Sequence, residues 1–378
     1  MKLNKRKLIK SYKDKNVYIT GITGFKGSWL ALVLHELGAN ISGIGLEPEK
    51  DSIFIQARVD EIADVVIGDI TEDARSSKLI MSISKSNPDY IFHMAAQPIV
   101  SEGYKNPFHT FNTNIMGTVI MHEILRGLRS PASKEDLESG NSAYLDDYNL
   151  SSKLVSFVNV TTDKVYKEID RPLKEDDEMF GFDPYSLSKT CSDMISTCYR
   201  EAMKSAHPIS TMRAGNVVGG GDMSPNRIIP DIIRASINNK KLEVRSPNSV
   251  RPYQHVFDAI TAYLWIGALQ RESNLYKSEY NIGPDIEQTM KTRELVEKMK
   301  DYIDFEWEIT DKSIGKESDY LALDNGKIKE TGWVPAFDTN IKVVKATSDW
   351  YNKSITGEDM QEYTIKQIRE AFEYVEGK

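Results

Sequence analysis

Between residues 16 and 45 the chain reads as strand, three-glycine turn, helix and strand, an order that few folds accommodate. Asn16-Val17-Tyr18-Ile19-Thr20 is a short buried-strand pattern, Gly21-Ile22-Thr23-Gly24-Phe25-Lys26-Gly27 a turn, Ser28 to Leu37 has helical apolar spacing, and Asn40 to Gly45 reads as the next strand. Two strands joined through a helix lie parallel with a right-handed crossover. Gly21, Gly24 and Gly27 stand in G-x-x-G-x-x-G spacing, which lets backbone N–H groups approach a pyrophosphate at the positive end of the following helix. A flexible turn could carry three glycines too, but the flanking strand and helix are the context that marks a dinucleotide fingerprint.

Further strands are expected at Asp64 to Ile67, Tyr90 to Met94, Leu154 to Val160 and Ile209 to Arg213, with helical patterns between them. That alternation predicts an α/β fold with a Rossmann-type doubly wound parallel sheet. At 378 residues the chain exceeds one ordinary core. The expected division is 1–212 as the dinucleotide-binding domain and 213–378 mainly as a smaller α/β substrate-binding domain, with about 252–282 returning to the first. From about Asn281 the tail mixes a helix, Thr292 to Met299, with a short strand, Phe305 to Ile309, and reads as a cap over the sheet's carboxyl edge. Ser130 to Ser152 reads as an exposed insertion without chemistry.

A formal net charge of −8 disfavours nucleic acid and anionic membranes as partners. No apolar run reaches the roughly 18 residues of a membrane span, and none follows the basic N-terminus as a signal peptide would require. The expectation is a cytoplasmic protein. The six histidines and two cysteines lack ligand spacing, so no metal is expected, and Cys191 and Cys198 are taken as buried packing residues in a reducing compartment.

The chemistry-bearing residues gather at Thr162-Asp163-Lys164, which ends an apolar strand-like run, and at Tyr185-Ser186-Leu187-Ser188-Lys189. Tyr185 and Lys189 stand four apart on one helix face. An ammonium favours phenolate, so Tyr185 is expected to serve as a general base near neutral pH. Thr162 would hold the substrate hydroxyl. Asp163 and Lys164 add an acid/base pair that plain oxidation does not need, which points to a reaction with two proton-transfer stages. An isolated Tyr-x-x-x-Lys would more often be a solvated helix face. For the cofactor, NAD is expected over NADP. Glu47 follows the second strand, where Gly45 holds the place of the customary carboxylate, and no arginine or lysine intervenes before Lys50. Asp69 and Ile70 are candidates for adenine contact, and Ala95, Ala96 and Gln97 for close passage of the cofactor.

The string Gly24-Phe25-Lys26-Gly27-Ser28-Trp29-Leu30 closely resembles the CDP-glucose 4,6-dehydratases, within the extended short-chain dehydrogenase/reductases. Supporting it in order are Ala95-Ala96-Gln97-Pro98, Thr162-Asp163-Lys164, Asp183-Pro184-Tyr185, Arg213-Ala214-Gly215-Asn216, Arg251-Pro252-Tyr253-Gln254-His255-Val256 and Asn281-Ile282-Gly283-Pro284. The chain departs from that family in Ile22 for His, Thr162 for Ser and Tyr253 for Trp. The resemblance implies oxidation at the sugar C4 through Tyr185 and Lys189, loss of water across C5 and C6, and return of hydride to C6. Asp163 would protonate the departing hydroxyl and Lys164, if burial and the nearby Lys189 charge make it a base, would assist at C5. It implies a cofactor set of Gly21, Thr23, Gly24, Phe25, Lys26, Gly27, Glu47, Asp69, Ile70, Ala95, Ala96, Gln97, Asn114, Tyr185 and Lys189. It implies a substrate set of Gln97, Asn216, Arg227, Arg251 and His255, with CDP-glucose as substrate and a homodimer or homotetramer as the assembly. A 4-epimerase or a dehydratase of another nucleotide hexose shares the first step, though a plain epimerase has no use for Asp163-Lys164. A sensor that only binds NAD would have no reason to keep Thr162, Tyr185 and Lys189 together.

Overall fold

The computed structural model describes residues 2–72, 78–127, 154–310 and 319–378. Seven strands form one parallel sheet: β1 (Asn16–Thr20), β2 (Asn40–Gly45), β3 (Asp64–Ile67), β4 (Tyr90–His93), β5 (Ser156–Thr162), β6 (Ile209–Ala214) and β7 (Glu279–Ile282). Their order across the sheet is β7-β6-β5-β4-β1-β2-β3. The winding reverses at β1, flanked by β2 and β4, and this switch point opens a crevice at the strands' carboxyl ends. The sheet is the Rossmann-type one that the alternation of elements predicts.

Strand side chains alternate between two cores. Val17 and Ile19 join Phe92, Val158 and Met212 on one face, while Tyr18 joins Ile91, Phe157 and Ile209 on the other. With both faces buried, each strand reads as a nearly continuous apolar run. The first core is covered by α1 (Phe25–Glu36) and the second by helix Lys78–Ser86 and α2 (Gly117–Gly127). α3 (Pro184–Thr197) carries Tyr185 and Lys189, and α4 (Val256–Glu272) is buried along nearly its whole length, as its apolar character on every side requires. Trp29 Nε1 of α1 donates to Gly220 O at 2.9 Å, tying that helix to the turn after β6.

Two departures from the sequence reading have local causes. β5 runs on through Thr161 and Thr162, which look like loop residues, because they pair with Arg213 and Ala214 of β6 and the Thr161 hydroxyl donates to buried Asp193 at 2.9 Å. Cys191 is half-buried and Cys198 exposed, not core residues. α3 instead turns Ser188, Ser192 and Ser196 inward, where they hydrogen-bond Asn114, Thr118 and His122. The stretch 130–152 lies outside the described residues. Three short ladders follow β6: Val217–Val218 with Gln254–His255, Val250–Arg251 with Met290–Lys291, and Leu242–Val244 with Trp307–Ile309. They carry Arg251 and Val244 to the carboxyl edge of the sheet.

Candidate active site

A cleft of about 1020 Å³ runs along that edge, lined from Gly21 and Gly24 past Thr162 and Tyr185 to Val244, Arg251 and Tyr320. At one end the glycine turn is built for close approach: a Cβ on Gly27 would stand 2.1 Å from Gly21 O. Gly24 caps α1 without any side-chain bond, so the first-turn N–H groups face the cleft for an anion to accept. Thr23, Phe25 and Lys26 line the same end. The carboxylate expected after β2 is displaced to exposed Glu47, because a Cβ at Gly45 would stand 2.3 Å from Thr23 Oγ1. Ile70, Ala95 and Ala96 complete the wall, with Asp69, whose Oδ1 accepts from the Thr71 N–H and hydroxyl, each at 2.7 Å. These features fit a dinucleotide with an unphosphorylated ribose.

Gln97 lines the cleft, but its carboxamide is engaged in the wall: Nε2 donates to Thr110 Oγ1 at 2.8 Å and Oε1 accepts from the Ile99 N–H at 2.6 Å. Asn114 does not line it. Its Oδ1 accepts from the Gln97 N–H at 2.8 Å and its Nδ2 donates to Gln97 O at 3.1 Å and Ser188 Oγ at 2.8 Å, so it braces β4's exit loop against α3.

In the middle of the cleft, β5 delivers Thr162 and Asp163 while α3, capped by Asp183 through the Ser186 N–H at 3.0 Å, delivers Tyr185 and Lys189. Thr162 and Tyr185 line the cleft together, and the Thr162 hydroxyl favours the Tyr185 phenolate. Lys189 Nζ donates to Val160 O at 2.8 Å. Burial dominates both titrations. It pushes Tyr185 up to about 12 against the Thr162 hydroxyl and the Arg227 field, and brings Lys189 down to about 8 against Asp193. The expected lowering of the phenol is therefore outweighed by desolvation in the protein alone.

Asp163 is held in surroundings that favour its protonated form. Its Oδ1 accepts from Thr162 Oγ1 at 2.9 Å, its Oδ2 is buried without a partner, and burial raises its pKa against the pull of Lys164, Thr162 and Arg251. Lys164 lines the cleft half-buried beside it. A second amine, Lys26, is brought down to about 7 by burial, with Arg227 and Lys189 adding to the effect.

Toward the other end, Asn216, Arg227 and Arg251 line the cleft. Arg227 Nη1 reaches Asp222 Oδ2 at 3.2 Å, and Arg251 Nη1 donates to Val250 O at 2.9 Å. His255 is a correction: it is buried outside the cleft, where its Nδ1 accepts from the Phe257 N–H at 3.3 Å to cap α4. Its ring lies 3.9 Å from that of Phe337 and 5.6 Å from that of Trp29, centroid to centroid, and burial brings it to about 3. It is a neutral helix cap.

Sequence reasoning gave no role to the network behind the site. Arg213 grips Asp193 through Nε and Nη2 at 2.9 and 2.8 Å, and its Nη1 donates to Tyr166 Oη at 2.7 Å. The one signal available was Asp193's place one helical turn beyond Lys189.

The family model described as GDP-mannose 4,6 dehydratase matches residues 18–344. The chain is 34% identical to the CDP-glucose 4,6-dehydratase of Salmonella typhimurium (strain LT2) over 366 residues, covering 92% of this chain and 94% of that one. It is 29% identical to the GDP-mannose 4,6 dehydratase of Drosophila melanogaster over 335 residues, covering 83% and 73%. Among solved structures, MoeE5 in complex with UDP-glucose and NAD superposes with a TM-score of 0.71 at 20% identity, over 90% of this chain and 99% of that one.

Proposed function

The chain belongs to the GDP-mannose 4,6-dehydratase family, and from that membership we propose that it is an NAD-dependent hydro-lyase converting CDP-D-glucose to CDP-4-dehydro-6-deoxy-D-glucose. The observation that carries this reading is Asp163, a buried carboxyl held by Thr162 with its other oxygen unpartnered, in the cleft that Tyr185 also lines. An epimerase has no leaving group to protonate. The near full-length similarity to the Salmonella enzyme supports the cytidine nucleotide.

When bound, NAD supplies a hydride acceptor for C4 that returns the hydride to C6, and a cationic ring that favours the Tyr185 phenolate. Tyr185 takes the proton of the C4 hydroxyl, Thr162 holds that oxygen, and Lys189 stabilises the phenolate. The C4 ketone acidifies the C5 proton, which Lys164 accepts. Asp163 gives its proton to the C6 oxygen, the C6–O bond breaks, and water leaves as the C5–C6 double bond forms. Asn216, Arg227 and Arg251 hold the substrate diphosphate, the arginines in charge-assisted bonds.

The dinucleotide belongs to residues 1–212 and the nucleotide sugar mainly to 213–378, with 252–282 grouped with the first; β7 at the sheet edge supports that grouping. Exposed Met116, Leu187 and Met194 around α2 and α3 support assembly as a homodimer or homotetramer. Among the described residues no helix is long and apolar enough to cross a membrane, and the reaction is assigned to the cytoplasm. Incubation with CDP-, dTDP-, GDP- and UDP-hexoses tests the function. Selective turnover of CDP-glucose to a 4-keto-6-deoxy product is expected, preference for another nucleotide reassigns the base, and a C4 epimer as product overturns the dehydration.

A further inference from the structure

Lys26 lines the cleft on the side of the glycine turn, within the fields of charged groups on other elements. It belongs to the first turn of α1, yet the charged groups that act on it lie elsewhere: Arg227 and Asp222 beyond β6, Lys189 on α3 and Asp163 after β5. Its neighbour Phe25 confirms the proximity, since a Cβ on Gly219, in the turn that follows Asn216, would stand 3.4 Å from Phe25 Cζ. Among the described residues the Lys26 ammonium has no hydrogen bond or ion pair, whereas Arg227 leans on Asp222 at 3.2 Å and Lys189 on Val160 O at 2.8 Å. Lys26, Arg227 and Lys189 are thus three cations lining one cleft, with Asp222 paired to Arg227 and Asp163 the other carboxylate acting on Lys26.

We propose that Lys26 is a binding residue for the diphosphate of the nucleotide sugar, acting with Arg227, and that it takes up a proton as that diphosphate enters. This rests on the nucleotide-sugar reading above and moves Lys26 from the cofactor set to the substrate set. The uptake follows from the surroundings. Without an anion, burial and the fields of Arg227 and Lys189 hold the amine near neutrality, against the weaker pull of Asp163 and Asp222. A diphosphate placed between Lys26 and Arg227 adds negative charge at that point and restores the ammonium.

The test is calorimetric titration of CDP, which binds without reacting, into NAD-saturated protein at about pH 8, in two buffers of different ionisation heat. Wild type is expected to take up close to one proton per CDP, and markedly less at about pH 6, where Lys26 is already charged. Lys26→Met should weaken CDP binding about tenfold or more and abolish the uptake, while Lys26→Arg should keep most of the affinity without the uptake. CDP affinity and proton uptake unchanged in Lys26→Met would overturn the proposal. So would a loss confined to NAD affinity, which would return Lys26 to the cofactor, or uptake persisting at full size, which would place the proton on another group. Failure of CDP to bind wild type at all would count against the nucleotide-sugar reading itself.

Discussion

The hydroxyl of Thr162 holds one carboxyl oxygen of Asp163 at 2.9 Å and leaves the other buried with no partner. A single donor fixes the direction of the carboxyl group, and burial favours its protonated form. The unpartnered oxygen lies beside Gly215, where a Cβ would come within 3.4 Å of it. In the proposed reaction an acid held this way is suited to the second stage and not the first.

The stages should therefore separate. Asn at position 163 can still accept from Thr162 but has no proton to give, so Asp163→Asn should retain oxidation at C4 and slow loss of water by about 10²-fold or more. Rapid-quench analysis should find enzyme-bound 4-keto-hexose that retains its C6 hydroxyl. Loss of C4 oxidation together with elimination would make Asp163 an orienting group.

Tyr185→Phe should abolish turnover, by about 10²- to 10⁴-fold, while leaving the fold and NAD affinity intact. Tyr185 lines the cleft, and α3 is held independently by its Asp183 cap and by Ser188, Ser192 and Ser196. Steady-state assays beside thermal unfolding and NAD titration check this, and wild-type turnover would remove Tyr185 from the chemistry.

The Arg213–Asp193 pair is buried on both sides, so removing one partner strands the other's charge. Arg213→Met or Asp193→Leu alone should destabilise the protein by about 3–5 kcal/mol, and the Asp193→Leu/Arg213→Met double variant by much less than the sum. Denaturant unfolding of the cycle measures this, and strict additivity would show the pair to be uncoupled.

Asp258, at the start of α4, accepts from the Ala336 and Phe337 N–H groups at 2.7 and 3.1 Å, and burial pushes it up to about 7. Its folded value lies above the roughly 3.9 of an unfolded aspartate. Between those values the native chain keeps a proton that the unfolded chain has released. This contribution to stability is therefore full below about pH 4 and is lost as pH rises toward about 7. Asp258→Asn should flatten that part of the melting-temperature profile, and an unchanged slope would assign it to other groups.

β1, β2 and β3 occupy the spans their sequence suggests, since glycines or polar residues bound each apolar run. β5 extends further than hydrophobicity indicates because its last two residues are threonines, and only the partner strand β6 makes them strand residues. The same limit applies within the site. Thr162, Asp163, Tyr185 and Lys189 are legible from type and spacing, and the structure brings them to one cleft. The state of Tyr185 is not legible, because desolvation outweighs the charge four residues away. His255 sits in a motif among residues that do reach the cleft, yet its own ring is turned into the core by the start of α4. Lys26 and Arg213 owe their settings to residues distant in sequence, Arg227 for one and Asp193 with Tyr166 for the other.

The decisive measurement is turnover of CDP-glucose carrying deuterium at C4, followed by mass spectrometry and NMR of the product. Intramolecular return of hydride predicts a sugar lighter by one water, with a ketone at C4 and the deuterium at C6. A product of unchanged mass with inverted C4, or a dehydrated product that has lost the label to solvent, would contradict the proposed reaction.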